Sequence, residues 1–185
     1  NMALTKTPIC DFGKKAEGFS LKSTDNKSIS LNDIRGDNGT LIMFICNHCP
    51  YVKAIITDLV NDCKELEKYG IKSVAICSND VKNYPEDSFD KMINFAKENS
   101  FSFPYLHDES QEIAKKYNAV CTPDFFGYNN KMELQYRGRI RELKELKPIR
   151  SGDSDLFIAM KMIAETGNGP KNQIPSMGCN IKWIK

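Results

Sequence analysis

Two cysteines three positions apart, Cys46 and Cys49, enclose the polar pair Asn47-His48 and run straight into Pro50. Thiols at this spacing can close a disulfide on themselves, and the ionised thiol is the species that attacks other disulfides. Disulfide exchange is therefore the chemistry to expect. A thiolate at a helix N-terminus gains roughly 0.3–1 kcal/mol from unpaired N–H groups and the dipole, and a protonated His48 beside it adds a cation. We read Cys46 as the exposed, attacking thiol and Cys49 as the resolving thiol one turn inward. The plainer role for His48 is to cap or solvate the turn. A structural zinc site takes about four ligands, and no second close cysteine pair is present, so we assign no metal. Two inert core thiols would not be separated by Asn-His.

The elements around the pair follow from apolar spacing. Residues 41–45 are apolar without interruption, too short for a membrane span and suited to a strand covered on both faces. From Val52 the positions Ile55, Ile56, Leu59, Val60, Cys63 and Leu66 make one helical stripe that Gly70 stops. Pro50 fits the first turn. A second strand, 71–78, is reached by this helical crossover, which makes the pair parallel and the unit right-handed. Loops at the carboxyl ends of such strands form the ligand crevice, so Asn79, Asp80 and Tyr84 should lie near the thiols.

Upstream, alternation over 19–31 around Asp25-Asn26 predicts a β-hairpin. Downstream, Asp87-Ser88 should cap a helix with Met92 and Ile93 inward, then an extended piece at 103–106 and a short helix from Ser110. Pro123 stands at the mouth of an aromatic strand that turns at Asn129-Asn130 into 133–137. A last helix carries Leu156, Ala159, Met160 and Ile163 and ends at Gly167. Residues 137–150 hold six basic side chains against Glu142 and Glu145; we expect a loop, either merely solvated or attracting an acidic partner. The tail, 168–185, holds the single tryptophan, Trp183, which suggests that it docks.

Composition bounds the rest. At 185 residues, 41% hydrophobic and 27% charged, one domain spanning 1–185 is expected. A net charge of +2 argues against nucleic acid as partner. No segment reads as a signal peptide or a membrane span, so a cytoplasmic location is expected. Asn1 before Met2 reads as an artificial leftover, so an upstream signal is not excluded. Seven cysteines is an odd number in a chain that needs no disulfide framework, which points to a reducing setting. Cys63 and Cys77 read as core residues, and Cys10 falls in no pattern.

Taken together, a hairpin, a strand-CxxC-helix unit and a Thr-Pro leading into an aromatic hairpin and a final helix resemble the thioredoxin fold. The resemblance implies an α/β class with three α/β/α layers, a central mixed sheet and an N-terminal β-hairpin. More narrowly, Cys46-Asn47-His48-Cys49-Pro50, Ser78-Asn79-Asp80, Tyr84-Pro85-Glu86-Asp87, Cys121-Thr122-Pro123-Asp124-Phe125, Tyr136-Arg137-Gly138 and Met177-Gly178-Cys179-Asn180-Ile181-Lys182 resemble bacterial redoxins grouped with AhpC/TSA, peroxiredoxin-like domains. The resemblance implies that Cys46 and Cys49 are the redox pair, that Pro123 is a cis-proline, and that Thr122 presents its backbone to the partner's disulfide. The dipeptide with histidine second is similar to that of oxidising disulfide exchangers, Ile45 stands where thioredoxin has tryptophan, and thioredoxin's buried aspartate has no counterpart on 41–45.

Peroxiredoxins carry Thr/Ser-x-x-Cys with an arginine nearby. In that alignment Cys46 takes the hydroxyl position and Cys49 the peroxidatic one, with Arg137 or Arg139 as the arginine. The function expected is thiol–disulfide exchange without a cofactor, on protein or small-molecule disulfides and thiols. Two alternatives stand beside it: reduction of hydroperoxides, and Cu or Zn carriage on Cys46, Cys49 and either Cys121 or His48. Cys121 and Cys179 are candidate accessory thiols, and Asn47 a candidate accessory of the turn.

Overall fold

The uninterrupted apolar run lies at the centre of the molecule because it has cover on both sides. In the computed structural model, which describes residues 3–185, β1 (Leu4–Lys6), β2 (Ser20–Ser23) and β3 (Ser28–Ser30) precede the central strand β4 (Gly39–Phe44). Helix α1 (Pro50–Leu66) returns the chain to β5 (Ile71–Cys77), and α2 (Phe89–Glu98), β6 (Tyr105–His107) and α3 (Glu112–Tyr117) follow. Next come β7 (Cys121–Thr122), β8 (Asp124–Tyr128), β9 (Leu134–Tyr136) and a ribbon of β10 (Leu143–Lys144) and β11 (Lys147–Pro148). Helix α4 (Asp155–Thr166) and β12 (Met177–Asn180) complete the order. Asn1, read above as a leftover before Met2, and Met2 itself lie outside the described residues.

The main sheet runs β3-β2-β6-β5-β4-β8-β9. β4, β5 and β6 are mutually parallel and the remaining neighbours antiparallel, so the sheet is mixed. Alternation along β4 sends Leu41 and Met43 to one face, with Val52 and Leu59 of α1, Met92 of α2 and Met160 of α4. Ile42 and Phe44 go to the other, with Ile113 and Tyr117 of α3. These are the three layers that the resemblance implies. Burial of each such side chain stabilises by about 1.5–3 kcal/mol, which is why β4, buried throughout, fixes the register of everything stacked on it. Among the described residues no helix is long and apolar enough to cross a membrane.

Several boundaries differ from the sequence reading. Ser88, whose side chain accepts from the Lys91 N–H, is the N-cap of α2, and Asp87 is turned elsewhere. The segment 137–150 is a ribbon rather than a bare loop. A second sheet, β1-β12-β7, was not foreseen. Its strands are three, four and two residues long and show no clear alternation, because what they bury is supplied by distant parts of the chain. Gly178 makes that sheet feasible: a Cβ there would stand 2.0 Å from the Thr122 carbonyl oxygen.

Candidate active site

Pro50 decides where α1 begins. Its ring disfavours a helical conformation in the preceding residue, and Cys49 is accordingly extended, with φ −69° and ψ 124°. Cys49 is therefore the N-cap, its carbonyl accepting from the Val52 and Lys53 N–H groups at 3.0 Å. Cys46 lies back in the loop. The reading that put Cys46 at the helix start and Cys49 a turn inside is thus inverted, and it is Cys49 that stands at the positive end of the α1 dipole.

Cys46 is not exposed either: both thiols are 1% exposed. Their surroundings nonetheless differ. Cys46 Sγ lies 3.5 Å from Thr122 Oγ1. Cys49 Sγ lies 3.3 Å from the Thr122 carbonyl oxygen and 3.0 Å from Cys179 Sγ. Cys49 also borders a groove of about 220 Å³ shared with His48, Tyr84, Glu86, Cys179 and Lys182. Hydrogen bonding from Cys46, against the opposing effect of burial and with help from Cys179 and Thr122, pulls the Cys49 thiol from its ordinary 9.0 down to about 5. Cys46 moves the other way, well above 9.0, because it donates to Cys49, is buried, and faces the Asp87 carboxylate. Of the two thiols, Cys49 is thus the more acidic.

The turn between the cysteines is held from below by Asp87, which is fully buried. Its carboxylate accepts from the Asn47 N–H at 2.8 Å and from Asn79 Nδ2 at 2.9 Å, and His48 Nδ1 lies 2.7 Å away. Asp87 raises the His48 pKa above 6.5. The Tyr105 hydroxyl donates to Asn47 Oδ1 at 2.7 Å, and Asn47 Nδ2 donates to the Glu86 carbonyl at 3.1 Å. The Tyr84 ring stacks on His48 with centroids 6.0 Å apart and planes 11° from parallel. Asp87 and Tyr105 are residues that the sequence reading missed as parts of the site. The signal for Asp87 was its place in the Tyr84-Pro85-Glu86-Asp87 motif; nothing local marks Tyr105.

On the opposite side stands the tail. In β12, Cys179 is registered opposite Thr122 on one edge and Leu4 on the other. Past the strand, the Lys182 N–H donates to Asn79 Oδ1 at 2.9 Å, and its carbonyl accepts from the Asp80 N–H and from Gln111 Nε2 at 2.8 Å. The Lys182 ammonium donates to the Asn180 carbonyl and Oδ1 at 3.0 and 2.7 Å, and Lys182 is among the residues lining the Cys49 groove. Backbone pairing holds the tail here, while Trp183 stays 38% exposed. The Cys179 thiol is pushed up to about 12 by burial and by its contact with Cys49, and Lys182 partly offsets this.

The remaining candidates divide. The Thr122–Pro123 bond is cis, but the Thr122 backbone is paired with β12 instead of being presented to a partner. Cys121 is buried and its thiol donates to the Pro123 carbonyl at 3.5 Å, outside the contact of Cys49 with Cys179. Arg137 grips Asp124 through Nε and Nη2, both at 2.8 Å, and lies 4.0 Å over the Phe126 ring. Arg139 pairs with Asp155 at 2.7 Å. Neither serves as an arginine beside the thiols, which corrects that assignment. Arg141 and Arg150 both pair with Asp58, so four of the six basic side chains of 137–150 are engaged within the molecule, and no free basic patch is built from them. A second cavity, about 390 Å³, opens beside Pro123 between Tyr51, Ile55, Arg139 and Leu143.

For a metal, ligand atoms of Cys46, His48 and Asp87 lie within 4.8 Å of one another. The Asp87 oxygens already accept from Asn47 and Asn79 and lie against His48 Nδ1, and the Cys46 thiol is pushed well above its ordinary value. A metal taking an Asp87 oxygen would have to displace the donors of Asn47 and Asn79 first.

Comparison with known proteins agrees with this architecture. Residues 12–143 match the model of the AhpC/TSA family. The crystal structure of an uncharacterized conserved protein from Geobacillus kaustophilus superposes with a TM-score of 0.93 at 39% identity, covering 100% of this chain and 98% of that one. Thiol-disulfide oxidoreductase ResA of Bacillus subtilis (strain 168) is 26% identical over 117 residues, 63% of this chain; the match spans 61% of that relative, less than two thirds of its length. The thioredoxin domain of thiol-disulfide oxidoreductase BVU-2223 from Bacteroides vulgatus superposes with a TM-score of 0.58 at 14% identity, covering 66% of this chain and 86% of that one. That last likeness bears on the fold alone.

Proposed function

This chain belongs to the AhpC/TSA family, and from that premise we propose that it is a thiol–disulfide oxidoreductase whose attacking thiolate is Cys49. The observation that carries the reading is the position of Cys49 at the N-terminus of α1, bordering an open groove and touching a second thiol at 3.0 Å. In the forward step the Cys49 thiolate attacks one sulfur of a substrate disulfide, forming a mixed disulfide and releasing the other sulfur as a thiolate. A neighbouring thiol then gives up its proton and attacks Cys49 Sγ, which releases the second substrate sulfur and leaves an intramolecular disulfide. Two electrons pass from the protein thiols to the substrate. The groove, bounded by Tyr84, Glu86 and Lys182, suits a small disulfide or a protruding cysteine of a protein.

Reduction of hydroperoxides ranks lower, because a donor must polarise the peroxide oxygen and Arg137 and Arg139 are both engaged elsewhere. The deciding experiment alkylates reduced protein with limiting iodoacetamide at pH 6 and maps the adduct. Cys49 should react first, and Cys49→Ser should abolish reduction of oxidised glutathione. First modification at Cys46 would overturn the reading. Peroxide consumption that exceeds disulfide turnover would favour the peroxidase, and stoichiometric Cu(I) or Zn(II) retention that blocks alkylation would favour a carrier.

A further inference from the structure

Cys49 has two thiol neighbours, and they are not equally fitted to resolve a mixed disulfide. Cys46 faces Thr122 Oγ1 at 3.5 Å, and its sulfur lies within 4.8 Å of ligand atoms of His48 and Asp87. To attack, it would have to ionise fully buried beside the Asp87 carboxylate. Cys179 Sγ lies 3.0 Å from Cys49 Sγ, and Lys182 lines the same groove.

The asymmetry sharpens once the substrate is attached. Formation of the mixed disulfide removes the negative charge from Cys49, and with it the repulsion that Cys49 exerts on both neighbours. Burial still disfavours the charged form at both; beyond that, Cys46 keeps the repulsion from Asp87 and Cys179 the attraction of Lys182. A thiolate forms more readily beside a cation than beside an anion. The scaffold also holds Cys179 in place: the Gly178 approach to Thr122 and the Lys182 backbone bonds to Asn79, Asp80 and Gln111 fix β12 against the thiols.

Resting on Cys49 as the attacking thiolate, we propose that Cys179, on the tail strand, is the resolving thiol, so that the working disulfide is Cys49–Cys179 and the CxxC pair is not itself the redox couple. Cys46 acts as the proton holder of the site. In the resolving step the Cys179 thiol loses its proton to solvent at the groove, its sulfur bonds to Cys49 Sγ, the bond from Cys49 to the substrate breaks, and the substrate leaves as a thiolate. The substrate disulfide is the oxidant, and the thiols of Cys49 and Cys179 supply both electrons.

The test uses the intact chain. Reduced protein receives one equivalent of oxidised glutathione, is quenched in acid, blocked with N-ethylmaleimide and digested with trypsin. Cys46 and Cys49 share the tryptic peptide 36–53, whereas Cys179 falls in 172–182. The expected product is the cross-linked pair of these peptides. A closed loop within 36–53 as the main product would overturn the inference and leave Cys49 as nucleophile intact. Glutathione remaining on Cys49 with no internal disulfide would likewise overturn the inference alone. Absence of any disulfide at Cys49 would overturn the underlying reading as well. Among variants, Cys179→Ser should accumulate the Cys49–glutathione adduct at least tenfold over wild type, and Cys46→Ser should still form the cross-link. If Cys179→Ser fails to fold, the wild-type peptide map decides by itself.

Discussion

The two flanks of Cys49 make an instructive pair. On one side Cys46 is sealed in the loop after β4, above a carboxylate that accepts from Asn47 and Asn79. On the other, Cys179 rides on a short edge-to-edge strand next to a lysine at the rim of the groove. Both are buried thiols near the same sulfur and burial raises both, yet one faces a carboxylate and the other has a lysine beside it. The difference lies in the sign of the nearest fixed charge and not in solvent exposure, since Cys46 and Cys179 are 1% and 4% exposed.

The largest effect should come from the atom between the flanks: Cys49→Ser is expected to lower disulfide turnover by at least about 10³-fold. A loss under tenfold in a glutathione-linked assay would remove Cys49 from the chemistry. Next, Asp87→Asn takes away the carboxylate under Cys46 and leaves the donors of Asn47 and Asn79 poorly matched. It should cost roughly 2–4 kcal/mol in urea unfolding. The same change should also let the loop within 36–53 appear in the disulfide map, blurring the contrast between the flanks; an unchanged map with unchanged stability would show that Asp87 does not set it.

The acidity of Cys49 gives a pH prediction. With the thiol lowered to about 5, alkylation should climb with pH through about 5 and level off above it. Cys46→Ala removes the first-named cause of that lowering, so the midpoint should rise by about a unit or more, slowing alkylation at pH 5 roughly tenfold. The linkage to stability carries opposite signs at the two groups. Because the Cys49 pKa is depressed, its contribution is fully present above the ordinary 9.0 and is lost as pH falls through about 5. Because the His48 pKa is raised, its contribution is fully present below the ordinary 6.5 and is lost as pH rises through the raised value. Unfolding free energies of wild type and His48→Gln across pH 5–9 measure the second of these: the variant's deficit should shrink as pH rises. The smallest effect concerns the rim. Lys182→Gln should slow closure of the Cys49–Cys179 disulfide about threefold, read by stopped quenching; no change would assign the resolving flank's advantage to proximity alone.

Much of the framework was legible in the chain. Residues 41–45 announce a strand buried on both faces because nothing in them alternates, and the stripe from Val52 to Leu66 announces the helix that covers it. Pro123 at the mouth of the aromatic strand was marked by its missing N–H. The placement of the two thiols relative to α1 was misread although its signal was present: Pro50 disfavours helical backbone at Cys49, so the helix begins after the second cysteine. Other features carried a signal for a different role or none for their part in the site. Asp87 looked like a helix cap because Asp-Ser before an apolar stripe is what a cap looks like. Tyr105 and Lys182 carry nothing in their neighbours to say that one holds Asn47 and the other overlooks Cys49.

The sequence by itself determined the close pair of thiols, the strand and helix on either side of it, and the proline that places the second thiol at the helix start, since these depend on spacing and on backbone restrictions between adjacent residues. Only the tertiary structure decided which thiol is the more acidic and which neighbours face it. Those depend on Asp87, Thr122 and Cys179, residues 38 to 130 positions away from Cys49 along the chain (87 − 49 and 179 − 49) that meet only when β7, β12 and the loop after β5 close around it. Electrostatic energy follows distance in space, and no pattern of neighbours in sequence encodes that distance.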